Sequence, residues 1–298
     1  MKTAIVVHGG AGAWQEVPER LSRALPACIA SAQAGQAVLL AGGSALDAVE
    51  TAVNILEDDP VLDAGRGSYL NANGEIEMDA LIMDGRTLNL GAIAAIQRVQ
   101  YPISLARKVL DHPNHNFLVG PGAEAFADKI GFPRCQLADL QTEENLLHFR
   151  TQNGGAKPET AVGPLGDTVG AVAIDSNGNL AVATSTGGTR HKLPGRVGDS
   201  PLVGSGGYAD NWTAAVGATG HGEALMKIII SKRVCDLVGD GLSAQAACDA
   251  AIQMLAERVQ GTGGLIAVDA RGQVGIARNT NAMPYAYAIG SAPVISGQ

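Results

Sequence analysis

Hydrophobic residues change their spacing repeatedly along the chain, which predicts an alternation of strands and helices. Residues 4–7 form a short β-branched run that ends at His8 and a glycine loop, a pattern typical of a buried strand. Helical spacing follows over about 18–33, and Ser44 is predicted to be the N-cap of a second helix. One face of that second helix carries Leu46, Val49, Val53 and Leu56.

The middle of the chain predicts two strands and two short helices. Residues 75–83 alternate between apolar and polar side chains, and a turn at 84–85 separates them from a predicted partner strand at 91–96. Short helices are predicted at 103–110 and 123–129.

The segment from Leu140 to Asp167 has a different character. It is polar, contains several Gly and Pro residues, and has little periodicity after Arg150. A connection of more than about 15 residues without secondary structure is uncommon in a compact protein and is usually functional or disordered. We therefore predict an exposed, flexible tether at about residues 150–167.

The second part of the chain is predicted to contain two hairpins with helices between them. The strands at 169–174 and 180–184 flank one turn, and those at 265–268 and 274–277 flank another. Helical patterns cover about 222–238 and 242–259. Antiparallel hairpins followed by amphipathic helices predict an α+β fold in which helices sandwich a pair of sheets.

Composition excludes several classes of protein. The 298 residues are 46% apolar, enough for a sizeable core, and 21 basic against 29 acidic side chains give a formal charge of −8. A chain with a net negative charge lacks the excess of basic residues that is typical of proteins that bind nucleic acid or an acidic membrane surface. No run approaches the roughly 20 apolar residues of a membrane span, and no signal-peptide pattern begins the sequence. We expect a cytoplasmic protein with neither nucleic acid nor membrane as a partner.

The glycine, histidine and cysteine patterns disfavour the commoner catalytic machineries. The loop Gly9–Gly12 does not fit GxGxxG, and no Lys-Ser/Thr pair follows it, which argues against a nucleotide site. The six histidines form no HxxxH pair and are interpreted as solvated loop residues rather than metal ligands. A GxSxG elbow and a Cys-Gly-x-Cys signature are also absent, and the four cysteines are interpreted as reduced thiols.

The junction between the tether and the first hairpin carries the candidate chemistry. The string GDTVGAVA places Thr168 where the tether meets a strand. If the chain is cut between Asp167 and Thr168, this threonine gains an α-amine whose ordinary pKa is about 7.7–8.0, close to neutral pH. A threonine beside its own N-terminal amine is an activated nucleophile, because the amine can accept the hydroxyl proton.

Three other segments suit such a site. The string TST at residues 184–186 ends the return strand of the same hairpin, so its hydroxyls can lie beside Thr168. Arg196 and Asp199 in RVGDSP offer one cation and one anion, the complement of a free α-carboxylate and α-ammonium group. The string TGHGE at residues 219–223 is interpreted as the opening of a helix, where backbone N–H groups can stabilise an oxyanion.

Together with HGGAGAW near the N-terminus and MDG at residues 83–85, these strings closely resemble the plant-type L-asparaginase/isoaspartyl peptidase family. The resemblance covers essentially the whole chain, from Ala4 to about Tyr287. The family belongs to the N-terminal-nucleophile hydrolases, so the resemblance implies a four-layer αββα sandwich made as a self-cleaving precursor. It implies an alpha subunit of residues 1–167 and a beta subunit of residues 168–298, assembled as a dimer of αβ units. The implied substrates are L-asparagine and β-aspartyl peptides, and no cofactor is implied for catalysis.

The resemblance also assigns roles to single residues. Thr168 would be the nucleophile freed by cleavage after Asp167, and Thr186 would hydrogen-bond it and assist maturation. Arg196 would hold the α-carboxylate of the substrate and Asp199 its α-amine. An oxyanion hole would form at Thr219 and Gly220, so the implied substrate-binding set is Arg196, Asp199, Thr219, Gly220 and Gly222.

One loop departs from the family pattern. Members often carry Asn where this chain has Asp63, and that Asn helps to position the nucleophile. An Asp can accept the same hydrogen bond but cannot donate one. In the family the loop Leu56–Gly67 commonly binds a structural sodium ion through backbone carbonyls. Two alternative functions stay open: a glycosylasparaginase that uses the same chemistry on an N-linked sugar, and a maturation-deficient, non-catalytic homologue.

Overall fold

Two β-sheets organise the residues that the computed structural model describes, which are 2–12, 14, 18–112, 114–152 and 168–298. The strands are β1 (Ala4–His8), β2 (Met78–Asp84), β3 (Leu90–Ile96), β4 (Phe117–Val119), β5 (Val169–Ile174), β6 (Leu180–Thr186), β7 (Gly207–Ala209), β8 (Ala214–Gly220), β9 (Gly263–Asp269), β10 (Val274–Arg278), β11 (Tyr285–Ile289) and β12 (Ile295–Gly297). The helices are α1 (Pro18–Leu40), α2 (Ala45–Asp58), α3 (Pro102–Asp111), α4 (Gly120–Lys129), α5 (Leu137–Leu140), α6 (Glu143–Gln152), α7 (Gly222–Ile228), α8 (Ile230–Gly239) and α9 (Ala244–Val259). The fold is therefore mixed α/β.

The order of the strands brings the candidate hairpin to the middle of the larger sheet. That sheet runs β12-β11-β1-β5-β6-β2-β3-β4, and the smaller one runs β10-β9-β8-β7. Strand β5 pairs antiparallel with both of its neighbours, so Gly170 lies opposite His8 in β1 and opposite Thr184 in β6. The start of β5, just after Thr168, consequently lies between the carboxyl ends of β1 and β6.

Strand β5 is buried on both faces, which explains why its sequence is a continuous run of apolar residues. Val169, Ala171 and Ala173 contribute to the core between the larger sheet and the helices, whereas Val172 and Ile174 contribute to a second core that also contains residues of the smaller sheet. A strand whose two faces are both covered has no solvent side to mark with polar residues. The predicted hairpin of β5 and β6 is confirmed.

Three apolar cores show which elements face one another. The first joins the larger sheet to α1, α2 and α3. The second contains residues of both sheets, with Val6, Val172 and Val182 on one side and Ile266 and Val268 on the other. The third joins the smaller sheet to α7, α8 and α9.

Helix boundaries confirm some predictions and correct others. Ser44 does cap α2, where its side chain accepts a hydrogen bond from the N–H of Asp47 at 3.1 Å. The first helix continues to Leu40, seven residues beyond the predicted end, and accommodates Pro26. The single helix predicted at 222–238 is instead two helices, because Ile229 adopts a left-handed conformation with φ 50°.

The polar segment 140–167, in which a tether is predicted at about 150–167, contains a helix that overlaps the start of that tether. Helix α6 occupies 143–152, and its buried Asn145 donates a hydrogen bond of 2.6 Å to the carbonyl of Gly67. Leu146 and Phe149 pack against the core below it. The rest of the predicted tether, residues 153–167, lies outside the described residues.

Candidate active site

Thr168 lies at the start of β5 with its hydroxyl in a buried contact. Its side chain is 5% exposed, and its Oγ1 lies 2.8 Å from Oγ of Ser200, at hydrogen-bond distance. Ser200 is 1% exposed and follows Asp199 in the predicted substrate-binding loop. The fold therefore joins the candidate nucleophile to that loop through a direct side-chain contact.

The predicted substrate-binding residues Arg196, Asp199 and Gly222 converge in space. A Cβ atom on Gly222 would lie 2.9 Å from Oδ1 of Asp199 and 3.1 Å from Nη2 of Arg196. Only a residue without a side chain leaves this space free between the two charged groups. A glycine at 222 thus lets the carboxyl group of Asp199 and the guanidinium group of Arg196 approach the same point of the backbone.

Arg196 is held by a partner that the sequence analysis did not assign. Its Nε donates to Oε1 of Glu223 at 2.9 Å and its Nη2 donates to Oε2 at 2.8 Å, a bidentate ion pair. The side chain of Arg196 is 18% exposed and that of Glu223 is 47% exposed. Glu223 fixes the plane of the guanidinium group on the rim of the site, so Arg196 does not depend on Asp199 for its orientation.

Asp199 is a buried carboxylate with an unused oxygen. It is 3% exposed, and its Oδ2 has no hydrogen-bond partner among the described residues. Burial raises the pKa of this carboxyl to about 7, against the lowering effects of its own backbone N–H and of Arg196. A buried carboxylate needs a counter-charge, and an incoming ammonium group would supply one.

Thr219 and Gly220 end strand β8 rather than opening a helix, which corrects the interpretation of TGHGE; the helix begins at Gly222. Thr219 is fully buried, and its Oγ1 accepts a hydrogen bond of 3.1 Å from the N–H of Ala11. A hydroxyl that accepts a bond still has its own hydrogen to donate. Gly220 has φ +135°, and a Cβ there would lie 2.5 Å from the backbone of Gly263, so only glycine fits.

Thr186 ends β6 beside the start of β5, and Asp63 is joined to the residue that follows Thr186. Thr186 is 3% exposed, and its Oγ1 accepts a hydrogen bond of 2.9 Å from the N–H of Gly188. Asp63 is fully buried; its Oδ1 accepts from the N–H of Tyr69 at 2.8 Å, and its carbonyl accepts from the N–H of Gly187 at 2.9 Å. The contact of Thr168 described above is to Ser200, so the predicted role of Thr186 as its hydrogen-bond partner stays a prediction.

His8 is fully buried, which corrects its interpretation as a solvated loop residue. Its Nδ1 accepts a hydrogen bond of 3.3 Å from the N–H of Gly10, and a Cβ on Gly170 would overlap its Nε2. Burial lowers the pKa of His8 to about 3, against a smaller raising effect of the Thr168 backbone. The imidazole is consequently neutral at physiological pH.

Sequence reasoning assigned no role to three residues of the site. Ser200 and Glu223 stood inside the strings RVGDSP and TGHGE, but no spacing rule indicates which neighbour of a charged residue faces the nucleophile. His8 ended the first apolar run, a position that could have indicated burial. Asp167, on the other side of the predicted cleavage site, lies outside the described residues.

A family model for asparaginase matches residues 1–294. The chain belongs to the asparaginase family. Among the relatives of this asparaginase-family chain are proteins named isoaspartyl peptidase/L-asparaginase. The Danio rerio protein is 46% identical over 91% of this chain and 87% of its own length, and the Homo sapiens protein is 44% identical over 97% and 94%. A plant-type L-asparaginase of Pyrococcus abyssi is 44% identical over 95% of each chain.

Two further features concern the described part of this asparaginase-family chain. Within it, no three His, Cys, Asp or Glu side chains are grouped so that they could hold a metal ion. No described helix combines the length and the apolar character needed to cross a bilayer.

Proposed function

We propose that the protein is a self-cleaving hydrolase of β-aspartyl amide bonds that acts on L-asparagine and isoaspartyl dipeptides. The names of its relatives support this class of substrate. The hydrogen bond between Thr168 and Ser200 carries the proposal. Because Ser200 follows Asp199 in the chain, this bond supports a site in which the nucleophile and a carboxylate suited to an α-ammonium group act on one substrate.

In the proposed reaction, cleavage between Asp167 and Thr168 frees the α-amine of Thr168. Thr168 Oγ attacks the side-chain carbonyl of the substrate while this amine accepts the hydroxyl proton. The hydroxyl of Thr219 and the N–H of Gly220 stabilise the oxyanion of the tetrahedral intermediate. The ammonium group that formed gives its proton to the leaving amine, and a β-aspartyl ester remains. Water then attacks this ester, releases aspartate and restores the threonine.

Arg196 and Asp199 would select the substrate in this reaction. Arg196 presents a planar guanidinium group, which binds carboxylates in a bidentate manner, as it already does with Glu223. Asp199 presents its free oxygen to the α-ammonium group. Thr186 and Asp63 would position the nucleophile.

We also propose that the layers form the αββα sandwich of the N-terminal-nucleophile hydrolases. The proposal is supported by the three apolar cores, which lie between helices and the larger sheet, between the sheets, and between the smaller sheet and helices. Assembly as a dimer of αβ units and a cytoplasmic location stay predictions.

A denaturing gel and a substrate panel test the proposed function. The purified protein should give two bands, of residues 1–167 and 168–298, and should release ammonia from L-asparagine and a free amino acid from a β-aspartyl dipeptide. Release of free N-acetylglucosamine from a glycosylated asparagine, with no activity on the other two substrates, would identify a glycosylasparaginase instead. One band without activity on any of the three would identify the non-catalytic homologue.

The pH dependence of kcat/KM is expected to be steep on its acid side. The α-amine of Thr168, with an ordinary pKa of about 7.7–8.0, must be neutral to accept a proton. Burial raises the pKa of Asp199 to about 7, so this carboxyl is largely uncharged below neutral pH and cannot hold an ammonium group. Since both groups must lose a proton, kcat/KM should fall by more than about tenfold per pH unit below both ionisations.

Two variants separate the groups that control this profile. Asp199→Asn should lower the rate and reduce the acid side to a single ionisation, because only the amine still titrates. His221→Asn should leave the shape of the profile unchanged; His221 has a half-exposed side chain 3.6 Å from Oε2 of Glu223. Reduction of the acid side to a single ionisation in His221→Asn would show that His221, not the amine, is the general base.

We propose a structural sodium ion on the loop Leu56–Gly67. Gly67 has φ +101°, and a Cβ there would lie 2.5 Å from the carbonyl oxygen of Leu62 and 2.8 Å from that of Pro60. Two carbonyl oxygens thus lie on the same side of Gly67, and oxygen is the ligand that hard cations take. The ion would contribute rigidity to a loop that contains Asp63, and no step of the reaction uses it.

Replacing sodium chloride by choline chloride at constant ionic strength is expected to lower Tm, because the ion stabilises only the folded state. Each kcal/mol of lost binding free energy should lower Tm by roughly 2–4 °C in a chain of this size. Gly67→Ala should remove the difference between the two salts. Gly42→Ala is the matched control, since Gly42 also has a positive φ but faces open space. Equal Tm values for the parent in both salts would exclude the ion.

A further inference from the structure

Ser200 forms a side-chain hydrogen bond with the candidate nucleophile, Thr168. Its Oγ lies 2.8 Å from Oγ1 of Thr168, and both side chains are almost completely buried. A hydroxyl has one hydrogen to donate and two lone pairs to accept with, so either oxygen can be the donor. Buried hydroxyls held at this distance fix each other's orientation, because breaking the bond would leave two buried polar groups unsatisfied.

Ser200 is itself held by the hairpin that carries the nucleophile. Thr184 in β6 donates a hydrogen bond of 2.8 Å from its Oγ1 to the carbonyl of Ser200. Thr184 also lies opposite Gly170 in β5, two residues after Thr168. The position of Ser200 relative to Thr168 is therefore set by strand pairing and does not depend on loop conformation alone.

A close turn fixes the loop from its other side. The N–H of Gly206 donates to the carbonyl of Asp199 at 3.0 Å, and a Cβ on Gly206 would lie 2.5 Å from Cα of Ser200. Glycine at 206 is thus what allows the loop to close tightly around Asp199 and Ser200. Such rigid support is what a catalytic group needs to keep its geometry.

We propose that the Ser200 hydroxyl is a catalytic group that orients Thr168 Oγ for attack, both in self-cleavage and in substrate turnover. The Ser200 hydroxyl stays neutral in both reactions. During turnover the proton of Thr168 Oγ goes to the α-amine. During self-cleavage Thr168 Oγ attacks the carbonyl carbon of Asp167, its proton goes to the nitrogen of Thr168 as the peptide C–N bond breaks, and water hydrolyses the ester that forms. In the uncleaved chain the nitrogen of Thr168 is an amide and is not basic, so alignment by Ser200 matters most there. This inference rests on the proposed role of Thr168. It also links the nucleophile to the substrate, because Asp199, which is proposed to bind the ammonium group of the substrate, directly precedes Ser200 in the chain.

The test compares Ser200→Ala with two other variants, measuring self-cleavage by intact mass over time and turnover per cleaved chain. Ser200→Ala should slow self-cleavage and lower kcat by about 10- to 100-fold, while KM changes less than about threefold, because the substrate anchors remain. Thr184→Val keeps the shape of the side chain but removes the bond to the Ser200 carbonyl, and it should lower kcat in the same direction by a smaller factor.

Ser231→Ala is the matched control, since Ser231 is a fully buried serine whose Oγ donates to the carbonyl of Ser205 at 2.6 Å. The Tm of Ser231→Ala should fall by as much as that of Ser200→Ala, but its kcat and its rate of self-cleavage should equal those of the parent. Parental rates in Ser200→Ala, or an equal loss of kcat in Ser231→Ala, would overturn the inference. If the parent cleaves itself but hydrolyses no β-aspartyl substrate, the proposed function fails, and the self-cleavage rate of Ser200→Ala still decides the role of Ser200.

Discussion

Thr168→Ala is expected to give one uncleaved chain of 298 residues with no measurable hydrolysis of L-asparagine. The substitution removes the hydroxyl that would attack both the peptide bond after Asp167 and the substrate. Without cleavage the α-amine is never formed, so the nucleophile and its base are lost together. Activity should fall to the limit of detection, and intact mass together with ammonia release measures the two losses.

Folding should survive this substitution, so the loss of activity can be assigned to chemistry. Ala keeps the Cβ of Thr168, and the lost hydrogen bond to Ser200 should cost about 1 kcal/mol. Ser185→Ala is a suitable control, because Ser185 is a buried hydroxyl on the same strand pair that donates instead to Oε1 of Glu57 at 2.6 Å. That variant should still cleave and hydrolyse. If Thr168→Ala yields the same two fragments as the parent, Thr168 is not the nucleophile of self-cleavage.

Arg196→Ala is expected to lower kcat/KM for L-asparagine roughly 100-fold. This corresponds to a loss of about 3 kcal/mol of transition-state stabilisation. The guanidinium group is oriented by two hydrogen bonds to Glu223, so it is in place before the substrate carboxylate arrives. Self-cleavage should proceed at nearly the parental rate, since the peptide bond that breaks has no free α-carboxylate beside it. Steady-state kinetics and a cleavage time course measure the two effects separately.

The matched control for Arg196→Ala is Arg233→Ala, which removes the same charge from an exposed position on α8. Its kcat/KM should equal that of the parent at moderate ionic strength, because an exposed charge outside the site is largely screened. Parental kcat/KM in Arg196→Ala would mean that another group binds the α-carboxylate. A fall in both variants by the same factor would point to long-range attraction of the substrate instead of a direct contact.

Local sequence patterns are sufficient to predict an element whose conformation depends on the residues of that same segment. The hairpin β5–β6 was predicted because two apolar runs flank a turn of favourable residues, and Ser44 was predicted as a cap because its side chain bonds within its own helix. The candidate nucleophile was found in the same way, since Thr168 stands at a junction that is visible in the sequence. Strand β8, by contrast, is an Ala- and Gly-rich run with little β propensity, and only its position between two cores makes it a strand.

The sequence by itself thus determined the two hairpins and most of the helices. Only the tertiary structure decided which side chains contact one another. Arg196 pairs with Glu223 and not with Asp199, and Thr168 contacts Ser200 at the start of β5. Helix α6 likewise forms inside a polar segment, where packing of Phe149 and the bond from Asn145 stabilise it. These contacts join residues far apart in the chain, and no local spacing encodes them, because they depend on how the two sheets and their loops pack together.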